Sequence, residues 1–265
     1  MNADDRREHI TELLKQRQRI EVDQLTQELG VSTMTIRRDL SQLEQEGKLI
    51  RTHGGAAAPQ TLNGETPYSY KEGYFSLEKK AIASEAAKLV RECATIVLDS
   101  GTTTLELARK LKERGDITII TNDIPIAAEL MNSPAQVIVT GGELQRHVGA
   151  MFGPHSQQLL ENLYVDQFFL GAHAVDPKAG VTAPTLEKAR IKQLMMAAAE
   201  ETWLLTDSSK IPKKAFAKVC RMREIAGVLI DDAYQDNAES PLHQNLIRVS
   251  AGKESVIDED RSHRG

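Results

Sequence analysis

A turn rich in glycine and hydroxyl side chains stands between an apolar strand pattern and a helical pattern in the middle of the chain. Its residues are Asp99, Ser100, Gly101, Thr102, Thr103 and Thr104. Such a turn presents backbone N–H groups, hydroxyls and the positive end of a helix dipole, which together bind phosphate. The alternative is ordinary N-capping of the helix by Ser or Thr.

Polar or glycine residues also end the next two predicted strands: Thr121 and Asn122 after one, Gly141 and Gly142 after the other. Open α/β sheets bind ligands at the carboxyl ends of their strands, so we expect these residues to join the hydroxyl-rich turn in one effector site. Arg146 follows the double glycine. There its guanidinium could fork onto a phosphate or carboxylate, or form a surface ion pair.

Two arginines near the N-terminus lie on a predicted helix whose other face is apolar. Short hydroxyl side chains at the start of such a helix allow close approach to a major groove, and arginines contact phosphates or guanine edges. The alternative is a solvated face whose arginines pair with Asp39 and Glu44. The predicted DNA-contacting residues are Ser32, Thr33, Met34, Thr35, Arg37, Arg38, Arg51 and His53.

Three short helices and a hairpin must position those residues. Apolar residues recur at helical spacing in three stripes, and Gly30 breaks the pattern before Ser32, which we predict to be the N-cap of the third helix. Residues 49–55 have the alternation and glycines of a small hairpin. The pattern predicts a winged helix-turn-helix over residues 1–57. The stripes are Ile10, Leu13 and Leu14; Val22, Leu25 and Leu29; and Ile36, Leu40 and Leu43.

Beyond a predicted linker at 58–76, short apolar strands alternate with helices to about residue 255, and residues 256–265 are expected to be a disordered tail. This order is typical of a mostly parallel, Rossmann-like sheet covered by helices. The helices are predicted from Thr103, from Ile124 and over Thr185 to Glu200, whereas the basic run Lys213, Lys214 and Lys218 is typical of a solvated helix face. The strands are predicted at Thr95–Leu98, Ile117–Thr121, Val137–Thr140, Gln167–Leu170, Trp203–Thr206, Val228–Ile230 and Ile247–Val249.

Composition excludes several classes of protein. Of the 265 residues, 40% are hydrophobic and 27% charged, which is enough apolar material for a core, and no apolar run is long enough to cross a membrane. The first seven residues lack the apolar segment of a signal peptide, so we expect a cytoplasmic protein. Cys93 and Cys220 have no partner at metal-ligand spacing, which predicts free thiols. We expect no metal and no cofactor.

The residues at Val31–Leu40, VSTMTIRRDL, and at Arg51–Ala56, RTHGGA, closely resemble the N-terminal domain of the DeoR family of bacterial transcription regulators. The resemblance continues to about Lys210. It implies a winged-helix DNA reader joined to a sensor domain for a phosphorylated sugar, and it extends the predicted effector contacts to His173, Glu187 and Lys210.

That sensor domain is similar in fold to ribose-5-phosphate isomerase. In the isomerases a carboxylate acts as general base, and Glu187 would be its counterpart. The isomerases carry an Asp-Gly-Ala-Asp-Glu block where this chain has Leu170-Gly171-Ala172-His173-Ala174, so none of the block's acidic residues is present and two carboxylates of the active site are missing. We therefore expect binding without catalysis.

The resemblance predicts a regulator, expected to be a repressor of a carbohydrate operon, whose affinity for double-stranded operator DNA is set by a phosphorylated sugar. One alternative is a sugar-phosphate isomerase with a DNA-binding appendage, and another is a protein-binding module. A single short recognition helix buries little DNA, so we expect a homodimer or homotetramer.

Overall fold

The structure is a computed structural model that describes residues 2–17, 19–46, 48–52, 54–57, 68–236 and 241–251, without the side chains of residues 15, 16, 45, 69 and 70. The chain divides into two compact units, Met1–Thr61 and Leu62–Gly265, called here the N-terminal and C-terminal units. The predicted tail at 256–265 and residues 58–67 of the predicted linker lie outside the described residues.

The N-terminal unit is a winged helix-turn-helix, as predicted. Its antiparallel sheet has the order β1-β3-β2, and the short strand β1 was not expected from the sequence. The three predicted stripes form its core, although Leu29 is only half-buried. Its elements are α1 (Ala3–Arg17), β1 (Arg19–Glu21), α2 (Val22–Leu29), α3 (Thr33–Gln45), β2 (Ile50–Arg51) and β3 (Gly55–Ala57).

The turn between α2 and α3 forms for local reasons. Gly30 has φ 62°, the left-handed conformation that glycine adopts without steric cost, and it ends α2. Ser32 then caps α3, and its hydroxyl accepts a hydrogen bond from the Thr35 N–H at 3.2 Å, as predicted. Gly30 and Ser32 therefore determine where α2 ends and where α3 begins.

The C-terminal unit contains a seven-stranded, fully parallel sheet that includes every strand predicted for this region. The strands, with their order in the sheet from one edge to the other, are β15 (Leu246–Val249), β14 (Gly227–Asp231), β12 (Ala199–Leu205), β9 (Val165–Gly171), β4 (Thr95–Leu98), β5 (Thr118–Thr121) and β6 (Gln136–Val139). The other strands are β7 (Glu143–Leu144) and β8 (Met151–Phe152), which form a hairpin, and β10 (Ala174–Asp176), β11 (Gly180–Ala183) and β13 (Ala217–Cys220), which form a small antiparallel sheet.

Helices cover both faces of the parallel sheet. Successive strand residues alternate between two cores: Phe168 packs with α8, α9 and the small sheet, whereas Phe169 packs with α5, α6 and α7. This alternation is the reason that the strands are apolar on both faces. The helices of the unit are α4 (Tyr68–Gly73), α5 (Ser76–Leu89), α6 (Thr102–Leu111), α7 (Ile124–Glu129), α8 (Pro154–Glu161) and α9 (Leu186–Ala198).

The strand order reverses between β4 and β9. The chain builds outward from β4 through β5 to β6 on one side, and from β9 through β12 to β15 on the other. The crevice beyond the carboxyl ends of two such strands is the usual ligand site of an open α/β sheet. The hydroxyl-rich turn follows β4 at this point.

Three expectations need correction. The predicted helix from Thr185 to Glu200 ends at Ala198, because Ala199 already belongs to the buried strand β12. Lys218 lies in strand β13 and not on a helix, and Lys213 and Lys214 precede that strand. Residues 68–76 of the predicted linker contain α4 and the start of α5. The aperiodic composition of that stretch concealed a helix of only six residues.

Candidate functional site

The N-terminal unit presents one face of α3 to solvent. Ser32, Thr33, Met34, Arg37 and Arg38 are exposed, Met34 to 76%, and Thr35 is half-buried. The opposite face holds the buried stripe that begins at Ile36. The helix thus exposes hydroxyls at its start and two guanidinium groups one turn later, as the spacing predicts.

The predicted alternative for the two arginines is wrong about Asp39. The Asp39 carboxylate is buried and pairs with Arg6 of α1, with a distance of 2.5 Å from Arg6 Nε to Oδ2, and Arg7 lies 3.6 Å away. Among the described residues, Arg37 and Arg38 have no side-chain hydrogen bond or ion pair. Two charged groups on α3 are thus available to a partner.

Arg51 of the wing contacts α3 directly. Its Nη1 donates to the Arg37 carbonyl at 3.1 Å, and its backbone N–H donates to Glu44 at 3.4 Å. The wing therefore lies beside the exposed face of α3. His53 lies outside the described residues.

In the C-terminal unit, Asp99 and Lys192 join the two strands at which the sheet order reverses. Asp99 follows β4, is 1% exposed, and accepts a hydrogen bond from the Gly171 N–H at the end of β9 at 2.9 Å. The buried Lys192 ammonium of α9 pairs with the same carboxylate oxygen and donates to the Gly171 carbonyl at 3.0 Å. This clamp fixes the ends of β4 and β9.

The hydroxyl-rich turn leads directly into α6. Gly101 is the N-cap, and no side chain caps the helix start, so its first N–H groups are free of a side-chain acceptor. Thr104 is fully buried, and its hydroxyl donates to the carbonyls of Asp99 at 2.6 Å and Gly101 at 2.9 Å. Thr104 therefore shapes the turn through its side chain. Thr102 is buried, whereas Ser100, Gly101 and Thr103 are half-buried.

The end of β5 brings two buried acceptors to the turn. The Asn122 amide nitrogen donates to the Met151 carbonyl at 3.1 Å, but Asn122 Oδ1 and Asp123 Oδ2 accept no hydrogen bond from a described residue. Thr121 holds β5 to β4, because its fully buried hydroxyl donates to the Leu98 carbonyl at 2.9 Å.

Burial raises the pKa of the Asp123 carboxyl to about 6. The Ser100 hydroxyl and the Ile126 N–H oppose this shift because they favour the charged form, and the charge of Lys188 lowers the pKa slightly. Ser100 belongs to the turn after β4, Ile126 to α7 and Lys188 to α9, so groups from three parts of the unit act on the Asp123 carboxyl. We call the residues Asp99, Ser100, Gly101, Thr102, Thr103, Asn122 and Asp123 the strand-end site.

The remaining predicted effector residues surround the same edge of the sheet or its neighbouring loops. Gly141, Gly142 and Arg146 lie in the segment after β6, and the Arg146 guanidinium is exposed without a partner among the described residues. His173 is half-buried just beyond β9, and Glu187 is exposed on the first turn of α9.

Lys210 follows β12 in a short helical turn capped by Asp207. Burial lowers the pKa of Lys210 against the attraction of Asp207. Lys79 of α5 is also buried near Asp207, and burial lowers its pKa to about 8. Basic groups are therefore present at the end of β12, although no described contact joins them to the turn after β4.

The sequence analysis did not single out Asp123, Lys188 and Lys192 as site residues. Lys188 and Lys192 are four positions apart and therefore lie on one face of α9. That spacing on α9 was the available signal, although the helix also carries Glu187, Arg190 and Gln193. No helix among the described residues is long and apolar enough to cross a membrane, and no described group of His, Cys, Asp and Glu is arranged to hold a metal ion.

A winged helix that exposes Arg37 and Arg38 on α3 and a parallel α/β unit with a polar strand-end site define a two-domain DNA-binding regulator. Comparison with protein families agrees with this class. Residues 6–61 match the DeoR-like helix-turn-helix domain, and residues 75–232 match the DeoR C terminal sensor domain. The chain belongs to the DeoR family of transcriptional regulators, as its motifs predicted, and this membership sets it apart from the isomerase alternative.

Two relatives named as regulators match this chain over nearly their whole length. The transcriptional regulator GlpR of Haloferax volcanii is 34% identical over 94% of this chain and 97% of its own. The lactose phosphotransferase system repressor of Staphylococcus epidermidis is 34% identical over 88% of this chain and 93% of its own. Among solved structures, ribose 5-phosphate isomerase A of Methanocaldococcus jannaschii covers 51% of this chain and 53% of its own at 21% identity, with a TM-score of 0.37. A likeness of this size does not bear on activity.

Proposed function

We propose that the chain is a repressor of a carbohydrate operon whose affinity for operator DNA is set by a phosphorylated sugar bound at the strand-end site. The observation that carries this proposal is the chemistry of that site. It combines the uncapped N-terminus of α6, which suits a phosphate, with the unpaired acceptors Asn122 Oδ1 and Asp123 Oδ2, which suit hydroxyl donors. A sugar phosphate offers both groups.

The DNA half of the proposal uses α3 and the wing. Hydroxyl residues at the start of α3 allow close approach to base edges, and Arg37 and Arg38 supply unpaired charges for phosphates or guanines. Arg51 donates to the Arg37 carbonyl of α3 and adds a positive charge beside this helix, where the phosphate backbone of DNA would run. The proposed contacts are Ser32, Thr33, Met34, Thr35, Arg37, Arg38, Arg51 and His53.

The proposed ligand places its phosphate on residues 100–103 and its hydroxyls toward Asn122 and Asp123. Glu187, His173, Arg146 and Lys210 remain proposed contacts on the surrounding loops. Gly141 and Gly142 would allow the backbone after β6 to approach. The name of the lactose phosphotransferase system repressor supports both a sugar-related ligand and the sign of regulation.

Two further proposals follow from the DNA half. A homodimer or homotetramer would present two copies of α3 to half-sites roughly one helical turn of DNA apart, about 34 Å. Because operator DNA lies in the cytoplasm of a prokaryote, we place the regulator there.

The proposal is tested by thermal unfolding of the full chain with a panel of pentose, hexose and triose phosphates, the parent sugars and inorganic phosphate. A ligand present at 100 times its dissociation constant adds about 2.7 kcal/mol of stability. We expect at least one sugar phosphate to raise the melting temperature more than its parent sugar. Equal shifts with the parent sugars would contradict a phosphate site.

A further inference from the structure

The short helix α4 stands at the boundary between the stretch that joins the two units and the C-terminal unit, and three contacts hold it to the latter. The Tyr68 N–H donates to the His147 carbonyl at 2.9 Å, and Glu72 Oε1 forms an ion pair with Arg109 Nη2 of α6 at 3.7 Å. The buried Lys79 ammonium donates to the carbonyls of Lys71 and Tyr74. The docking of α4 therefore depends on polar contacts as well as on apolar packing.

The side chain of Tyr68 ends in a buried hydroxyl that has no hydrogen-bond partner among the described residues. Buried polar groups in folded proteins are almost always paired, so each exception needs an explanation. The Tyr68 ring packs against the core that contains α6 and α7, and burial, together with the charge of Asp123, raises the pKa of the phenol. The hydroxyl is therefore protonated at neutral pH and can donate.

Two more unpaired polar atoms belong to the same region. Asn122 Oδ1 and Asp123 Oδ2 lie at the end of β5, on side chains that are at most 1% exposed. The segment that carries His147 ties them to α4: the Ile124 N–H donates to the Gly149 carbonyl at 2.8 Å, and the Met151 N–H donates to the backbone carbonyl of Asn122 at 2.7 Å. Tyr68 of α4 thus supplies one hydrogen-bond donor, and Asn122 and Asp123 at the end of β5 supply two acceptors.

We propose that Tyr68 is a specificity residue of the effector site, and that its hydroxyl donates to a sugar hydroxyl whose neighbours donate to Asn122 and Asp123. This inference rests on the proposed function and names the part of the ligand that α4 recognises: the polyol part and not the phosphate. Because Tyr68 belongs to α4, a ligand that accepts from its hydroxyl stabilises the docked α4, and docked α4 strengthens ligand binding. Such coupling is reciprocal between the two events.

The test compares Tyr68→Phe with Tyr164→Phe in the full chain. Tyr164 is 95% exposed, so its variant removes the same hydroxyl where no ligand contact is proposed. Tyr68→Phe deletes a buried unpaired hydroxyl, and we expect the fold to tolerate it. The probes are inorganic phosphate and the tightest-binding member of a set made of glucose 6-phosphate, fructose 6-phosphate, ribose 5-phosphate and glycerol 3-phosphate, with affinities measured by calorimetry.

We expect Tyr68→Phe to raise the dissociation constant of the sugar phosphate about tenfold, the effect of one lost hydrogen bond, while that of inorganic phosphate stays unchanged. Tyr164→Phe should change neither constant. In the wild type, the sugar phosphate should slow amide hydrogen exchange over residues 68–73. An unchanged constant in Tyr68→Phe, or unchanged exchange over α4, would overturn the inference. Failure of the wild type to bind any of the four sugar phosphates would instead overturn the proposed function, and this inference with it.

Discussion

Asp123 is a buried carboxyl whose protonation is linked to folding. Burial raises its pKa from the ordinary value of 3.8 to about 6 in the folded unit. Between these two values the folded state binds more protons than the unfolded state, so this group's contribution to stability is largest at low pH. It is lost as the pH rises from about 4 to about 6.

Replacing Asp123 with Asn should remove this pH dependence. The amide oxygen can still cap α7 by accepting from the Ile126 N–H, which now donates to Asp123 Oδ1 at 3.0 Å. We expect the free energy of unfolding of the variant, relative to wild type, to rise by about 2 kcal/mol between pH 4 and pH 7.

Urea unfolding followed by the fluorescence of Trp203, the one tryptophan of the sequence, measures this difference within the C-terminal unit. A difference between variant and wild type that is the same at pH 4 and pH 7 would show that Asp123 titrates normally in the folded state.

Arg37 and Arg38 lie outside the buried stripe of α3, so their removal should affect DNA binding and not folding. We expect Arg37→Ala combined with Arg38→Ala to cost on the order of 1–3 kcal/mol of operator binding per arginine. The measurement is a titration of labelled operator, selected from a random-sequence pool, at several salt concentrations. The slope of affinity against salt should also fall, because fewer counterions are released.

The matched control is Arg91→Ala combined with Arg190→Ala, which removes the same charge from exposed positions of the C-terminal unit. If both double variants lose affinity equally, only net charge matters and α3 is not the reader. Circular dichroism checks that each variant is folded.

At the scale of elements, the turn after β6 shows how backbone geometry can require glycine. Gly141 has φ 69° with open space where a Cβ would stand, whereas Gly142 has φ 112° and its Cβ would lie 2.2 Å from the Phe152 carbonyl oxygen. The backbone of β8 therefore leaves no room for a Cβ atom at position 142. A side chain there would separate the β7–β8 hairpin from the end of β6.

We therefore expect Gly142→Ala to destabilise the C-terminal unit by more than about 2 kcal/mol, and Gly141→Ala by only about 1 kcal/mol, the ordinary cost of a left-handed non-glycine residue. Unfolding in urea, again followed by Trp203, compares the two neighbours. Equal losses would mean that the hairpin moves to accept the side chain.

The sequence alone predicted the elements that carry strong periodicity. The stripes of the winged helix and the apolar strands of the parallel sheet were correct because each has enough buried residues to set a period. Strand β1 and helix α4 were missed because three and six residues define no period. The antiparallel sheet of β10, β11 and β13 was missed because β10 and β11 have only three and four residues, and because β13 pairs with β11 from a distant part of the chain.

Some residues of the strand-end site can be proposed from a sequence motif, whereas others can be proposed only once the packing is known. Ser100, Gly101, Thr102 and Thr103 stand in a hydroxyl-rich turn that can be recognised from its composition. The roles of Asp123 and Lys192 depend on which elements meet at the end of β4. The internal bonds of Thr104 and Thr121 likewise become visible only when the carbonyls they reach are known.

At the scale of the whole molecule, regulation requires that a ligand in one unit change the DNA affinity of the other. A ligand shifts an equilibrium only through its different affinity for two states. The N-terminal unit exposes Arg37 and Arg38 on α3, which have no side-chain partner in the described part of the chain, and the C-terminal unit carries the proposed effector site beside strand ends that Asp99 and Lys192 clamp. The helix α4 provides the segment through which the two functions are proposed to be coupled.

The most direct test of this account is an operator titration with and without the sugar phosphate identified by thermal unfolding. The variants are Thr102→Ala with Thr103→Ala, at the carboxyl end of β4, and Thr95→Ala with Thr118→Ala, at the amino ends of β4 and β5. We expect the ligand to change operator affinity in the wild type and in the second variant, and we expect the first variant to need a much higher ligand concentration. An equal ligand response in all three proteins would contradict this expectation.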